Sequence, residues 1–171
     1  CLSECAPVMK AFRVVADSSC LIGLVHIGLF ESVKDLFAEI YIPSAVYDEV
    51  VVKGKGKIGA HEVEAAVKAG WLTKTSVQDT LAVNALLTTL SRGEAEVIIL
   101  ATELGLDYAL IDESTARNMA NLMNVNTIGT LGIIDIAITA GIAIDKKASV
   151  DHLRQVGFRI SDKLYQKVLK P

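Results

Sequence analysis

Residues 14–24 read VVADSSCLIGL, an apolar run that stops abruptly at an acid before a second apolar run begins. Val14, Val15 and Ala16 have the character of a buried strand, whereas Asp17 is a poor strand residue and costly to bury without a partner. Asp17 therefore has either a capping role or a chemical one. The same ending recurs in YALID, residues 108–112, where a second apolar run stops at Asp112. If both runs are parallel strands, the two acids leave the sheet at the same edge.

Working outward, FRVVA (12–16), IYIP (40–43), WLTKTSV (71–77), YALI (108–111) and VNTI (125–128) read as strands, with helical patterns between them. Phe30, Val33, Leu36 and Phe37 keep helical spacing, and Ser44 stands where a helix N-cap belongs, before AVYDEVVV. Gly70 reads as a helix stop. Gly93 is expected to break the segment from Val77 to Gly105 into two helices. Further helices are expected through ARNMANLM, from Gly129 onward, and over 148–157 and 161–169. Strands alternating with helices and rich in Val, Ile and Leu predict an α/β fold: a three-layer α/β/α sandwich around a mostly parallel sheet of about four to five strands. The functional crevice of such a sheet lies beyond the carboxyl ends of its strands.

A length of 171 residues suits one domain, here residues 12–169, with residues 1–11 set aside as an N-terminal extension. The chain does not start with Met, which fits either processing or an added residue. Half the residues are hydrophobic, few are aromatic and 22% are charged, so disorder is excluded as a class. A formal charge of −3 lacks the basic footprint of a protein that coats nucleic acid. Four carboxylates gathered around a metal would leave the remainder near +1, no longer hostile to a polyanion. Cys1, Cys5 and Cys20 are odd in number and lack zinc-site spacing, which points to a reduced, cytoplasmic setting. The apolar run 128–144 carries Asp135 and falls short of a membrane span, so it reads as a core helix. KGKGKIG (53–59) reads as a surface loop; it lacks the ending of a phosphate-binding loop.

Two further acids accompany the strand-end pair: Glu49 in IPSAVYDEV and Glu94 in RGEAEVIILA. Taken alone, Glu94 is an ordinary first-turn acid and Glu49 a solvent-facing one. Four ionised carboxylates in one crevice need compensation, since each like-charged pair at about 4 Å costs on the order of 4 kcal/mol at an effective dielectric near 20. Oxygen-only ligation points to Mg²⁺ or Mn²⁺. His26, His61 and His152 share no motif, and no nucleophile is partnered at a recognisable spacing.

VVADSSCLIGL, IPSAVYDEV, GEAEVIILATELGLDYALIDESTARNMA, VNTIGTLGIIDIA and HLRQVGFRISDKLYQKVL, in this order, resemble the PIN domain, specifically its archaeal and bacterial branch related to VapC toxins. The resemblance implies a Mg²⁺- or Mn²⁺-dependent ribonuclease with Asp17, Glu49, Glu94 and Asp112 as catalytic acids, of which Asp17, Glu94 and Asp112 hold metal. Ser19 matches a small hydroxyl residue of the family that either orients a carboxylate or caps the following helix. Thr130, in IGTLG, matches a motif where backbone geometry and capping are expected. Arg117 either contacts phosphate, ties down acidic neighbours or is simply an exposed helix cation. The family commonly has Asp at the helix start where Glu94 stands, which marks a variant branch with Glu in GEAE, and Glu96 is a competing assignment; Glu113 replaces a frequent second Asp and either assists or does nothing; Asp135 either faces the site, pairs internally or has no evident capping role.

The same resemblance implies RNA as substrate, a small antitoxin as partner, pairing of two copies, and no membrane. A PIN-like binding or regulatory module with little turnover is the alternative. A phosphatase or receiver-like protein is disfavoured, because no second acid follows Asp17 two positions on.

Overall fold

Among the described residues, 9–170, the computed structural model contains five strands in one parallel sheet and ten α-helices. Cys1 and Cys5 lie outside the described residues. The strands are β1 (Arg13–Ala16), β2 (Glu39–Pro43), β3 (Leu72–Thr75), β4 (Tyr108–Leu110) and β5 (Thr127–Ile128), in the order β3-β2-β1-β4-β5. All pairings are parallel, and Ala16 lies opposite Leu110 in the register of β1 with β4. Val14, Val15, Ala16, Ala109 and Leu110 are fully buried. Unbroken apolar runs rather than alternation are what a sheet covered on both faces requires. The expected α/β/α sandwich is the observed one.

The chain leaves β1 toward β2 and later returns to β1's other side as β4. The C-terminal ends of these two central strands thus form a topological switch point, where connections diverge and leave a crevice. Helix α1 (Ser18–His26) leaves this edge directly, with Asp17 as its N-cap residue and Cys20, Leu21 and Leu24 in the core. After a 3₁₀ turn (Phe30–Ser32) and the short helix α2 (Val33–Leu36), β2 climbs back to the same edge and ends at Pro43.

Helix α3 (Ser44–Tyr47) starts one residue earlier than an N-cap role for Ser44 requires. Pro43 holds the cap position, and Ser44 Oγ lies 2.9 Å from Ser76 Oγ instead. The open N–H of Ala45 donates to Glu96 Oε2 at 3.0 Å, so the cap is supplied from a distant helix. A π turn (Asp48–Val52), closed by Lys53 N–H to Asp48 C=O at 2.8 Å, then carries Glu49. Its wider loop re-aims side chains relative to an α-helix, as single π turns at functional sites do. Residues 53–59 form a run of turns, with Gly59 at φ 96° seated over Ile22 and Val50.

Helix α4 (Ala60–Ala69) leads to β3, then α5 (Thr80–Leu86) and α6 (Arg92–Leu104). The break between these last two lies at residues 87–91, not at Gly93. Ser91 Oγ accepts from Glu94 N–H at 3.3 Å and Glu94 Oε2 accepts from Ser91 N–H at 2.9 Å, a capping box that fixes the start of α6 and leaves Gly93 inside its first turn. Helix α6 packs on β1, β2 and β4, with Val97, Ile98 and Leu100 buried.

Helix α7 (Ser114–Leu122) precedes β5, and α8 (Thr130–Thr139), α9 (Lys146–Gln155) and α10 (Asp162–Val168) complete the chain. The apolar helix ends at Thr139, and among the described residues no helix is long and apolar enough to cross a membrane. Helices α8 and α9 pack beside α1. The segment after α9 folds back so closely that a Cβ on Gly23 would lie 2.7 Å from Phe158 Cζ, so α1 needs glycine there to seat the Phe158 ring.

Candidate active site

One cavity of about 1000 Å³ opens at the carboxyl edge of the sheet. Asp17, Glu49, Glu94 and Asp112 all line it, as do Ser19, Glu113, Arg117, Thr130 and Asp135. Glu96 does not. The two glutamates of GEAE stand two residues apart, which turns them about 200° from each other on a helix, so only one can face the crevice. Glu96 instead holds Ala45 N–H and lies 3.8 Å from Arg92 Nη1.

Asp17 is the most enclosed of the four, with 3% of its surface exposed. Its N–H donates to Leu110 C=O at 3.0 Å, extending the β1–β4 ladder by one bond, and the Ser19 hydroxyl donates to Asp17 Oδ2 at 3.3 Å. Burial raises its pKa to about 7; the Ser18 N–H opposes this, Glu94 and Glu49 add to it, and the Ser19 hydroxyl opposes it more weakly. Ser19 therefore touches the carboxylate, and α1 has no side-chain cap bond from Asp17.

Gly93 sets the spacing of the acids. A Cβ there would lie 3.2 Å from Glu49 Oε2 and 3.7 Å from Asp17 Oδ1, so its hydrogen lets two carboxylates approach the same point on α6. From sequence alone Gly93 reads only as a helix break. The neighbouring S-x-x-E pattern was the available signal that it lies inside a helix.

Asp112 is gripped by Thr130, which is 1% exposed. Thr130 N–H donates to Oδ1 at 2.7 Å and its hydroxyl to Oδ2 at 2.6 Å. Beneath this clamp Cys20 Sγ lies 3.5 Å from Thr130 Oγ1; burial, and then Asp112, push the thiol pKa well above its ordinary value. Gly129 brings Arg117 alongside, since a Cβ there would meet Arg117 Nη1 at 2.8 Å and Asp112 Oδ1 at 3.1 Å. Thr130→Val is expected to cost roughly 1.5–3 kcal/mol, the range for a buried bond to a charged group. Urea unfolding checks it, and Thr130→Ser, which keeps the hydroxyl, should recover most of the loss.

Glu113 and Asp135 have evident structural partners. Glu113 caps α7, its Oε2 accepting from Ala116 N–H at 2.8 Å. Asp135, 57% exposed, pairs with Lys146 at 2.6 Å on the cavity's outer lip. The cavity also has a wall whose residues carry no local site signal in the sequence: Phe158, Arg159 and Ile160 after α9, with Leu164 and Val168 of α10.

The donor chemistry fits a hard divalent ion, since the acids facing the cavity offer only carboxylate oxygens and one is held largely free of solvent. As the side chains stand, no three His, Cys, Asp or Glu residues among the described ones converge on a single ion position. Glu94 is turned onto Ser91 N–H and Asp112 onto Thr130. The cap engages only Oε2 of Glu94, and the carboxylate's second oxygen is the one it has to offer an ion.

A family model described as PIN domain matches residues 13–171, nearly the whole chain, and the chain belongs to that family. PIN domains are generally nucleases, hydrolases that typically use divalent metals. No curated protein matches the chain.

Proposed function

We propose that this PIN domain protein is a Mg²⁺- or Mn²⁺-dependent endoribonuclease that hydrolyses phosphodiester bonds of single-stranded RNA and serves as the toxin of a toxin-antitoxin pair. The observation that carries the reading is the convergence of Asp17, Glu49, Glu94 and Asp112 on one cavity at the sheet's switch point.

In this reading Asp17, Glu94 and Asp112 hold the metal and Glu49 completes the acidic wall. A divalent ion held by these carboxylates would supply acidification of a water and charge stabilisation of the departing oxygen. Water's oxygen bonds to phosphorus as the bond from phosphorus to the 3′ oxygen breaks; that oxygen takes a proton, leaving a 5′-phosphate and a 3′-hydroxyl. Asp17, Ser19 and Thr130 supply positioning: a carboxylate fixed at a strand end, a hydroxyl that orients it, and a clamp that holds Asp112. A small antitoxin covering the acidic crevice and pairing of two copies belong to the same proposal.

The test is cleavage of single-stranded RNA with Mg²⁺ or Mn²⁺ against an EDTA control. Cleavage should be lost on chelation and fall at least about a thousandfold in Asp17→Asn and Asp112→Asn. Equal cleavage by wild type and both variants would overturn the assignment.

The engagement of Glu94 with Ser91 N–H and of Asp112 with Thr130 favours a second reading, a PIN-like binding or regulatory module with little turnover. Calorimetric titration with Mn²⁺ separates the two: no binding in the millimolar range favours the module.

A further inference from the structure

The chain has seventeen lysines and arginines, all within the described residues; eight form ion pairs, and the other nine have no carboxylate partner among those residues. The nine are not scattered. Lys53, Lys55 and Lys57 follow the π turn that carries Glu49. Arg117 and Arg159 line the cavity itself. Lys163, Lys167 and Lys170 lie on or just after α10, whose Leu164 and Val168 face the cavity. Only Lys10 falls elsewhere.

Helix geometry makes the α10 placement specific. Positions 164 and 168 share one stripe, and 163 and 167 lie about 100° round from it, so the two lysines border the cavity's apolar wall. Gly59 rests on Ile22, one turn along α1 from the cavity-lining Ser18 and Ser19 and about 100° round that helix from Gly23, against which Phe158 of the first flank packs. The lysine run is thereby tied both to α1 and to the turn of Glu49. Unpaired cations gathered on two flanks repel one another and complement an extended anion that spans the acids between them.

We propose that these flanks set the path of the nucleic-acid strand: phosphates on one side of the scissile bond lie against Arg117, Arg159, Lys163 and Lys167, and those on the other side against Lys53, Lys55 and Lys57. The proposal rests on the nuclease reading for the identity of the strand. It adds which residues hold the backbone and along which line the strand crosses the sheet edge. Apolar Phe158, Ile160 and Leu164 line the first flank and offer a surface for bases.

The test measures binding apart from cleavage. A labelled single-stranded oligoribonucleotide of about twelve nucleotides is titrated with full-length Asp17→Asn protein by fluorescence anisotropy, from about 50 to about 200 mM salt. In that background Arg159→Gln/Lys163→Gln/Lys167→Gln should reduce the magnitude of the slope of log K against log salt by about 2, as three lost phosphate contacts require on a single strand. Lys53→Gln/Lys55→Gln/Lys57→Gln should do the same. Lys34→Gln/Lys68→Gln/Lys147→Gln removes as much charge from exposed, paired positions and should leave the slope unchanged.

An unchanged slope in either flank set, or an equal fall in the control set, overturns the path. All substituted positions in the flank sets are exposed, so thermal melting should match the parent protein. A protein that cuts RNA but keeps its slope in the flank variants loses only this inference. One that loses the slope as expected but never cuts loses only the nuclease reading.

Discussion

Asp17→Asn is expected to make the metal-free protein more stable at pH 8 by roughly 2–4 kcal/mol while leaving it within about 1 kcal/mol of wild type near pH 4. The carboxyl is buried at the end of β1 with Glu94 and Glu49 beside it, and its pKa rises from 3.8 in the unfolded chain to about 7 in the fold. A group whose folded pKa is raised stabilises the fold fully below its unfolded value, and that contribution is lost as pH climbs through the folded value. Wild type should therefore weaken from about pH 4 to pH 7 and a little beyond, by up to about 1.4 kcal/mol per pH unit. The amide variant carries no such slope. Urea unfolding in EDTA at several pH values reads the difference; a gap that is the same at pH 4 and pH 8 would refute the account. Combined with loss of cleavage, this would mark Asp17 as a residue retained for chemistry at the expense of the fold.

The second large effect is expected from Gly54→Ala, which changes no charge. A Cβ on Gly54 would collide with the carbonyl oxygen of Val50, a backbone atom with no rotamer to escape into. The chain would have to open the turn immediately after Asp48–Val52, at about 2–4 kcal/mol. Because Glu49 sits in that π turn, the damage should reach the site: cleavage is expected to fall even under conditions where the variant remains folded. A melting temperature within about a degree of wild type would show that the turn tolerates the methyl group.

These two residues show how far the sequence could be read. Asp17 and Asp112 were legible because each interrupts a Val-, Ile- or Leu-rich run, and parallel strands carry such interruptions to a common edge. The sheet followed from the same runs, since strands buried on both faces need no alternation. Gly54 and the π turn were not legible: one extra residue in a helical turn leaves the apolar spacing of AVYDEVVV almost unchanged. The competition between Glu94 and Glu96 left open by the motif reflects two acids in one segment, and only the placement of α6 distinguishes them. Ser44 misled for a physical reason, since a local cap was expected where a remote carboxylate, Glu96, serves. Arg159 carried no local signal, because its position against the cavity comes from the return of the chain after α9.

The capping box at Ser91 and Glu94 has a consequence for how tightly any occupant can be held. Glu94 begins the longest helix and also borders the crevice, so one carboxylate serves two masters. Drawing it toward the cavity releases Ser91 N–H and gives up roughly 1 kcal/mol of helix capping. An occupant that takes Oε2 and the capping of α6 are therefore opposed ends of one equilibrium. The first turn of α6 thus competes with the crevice for one oxygen of a cavity-lining carboxylate.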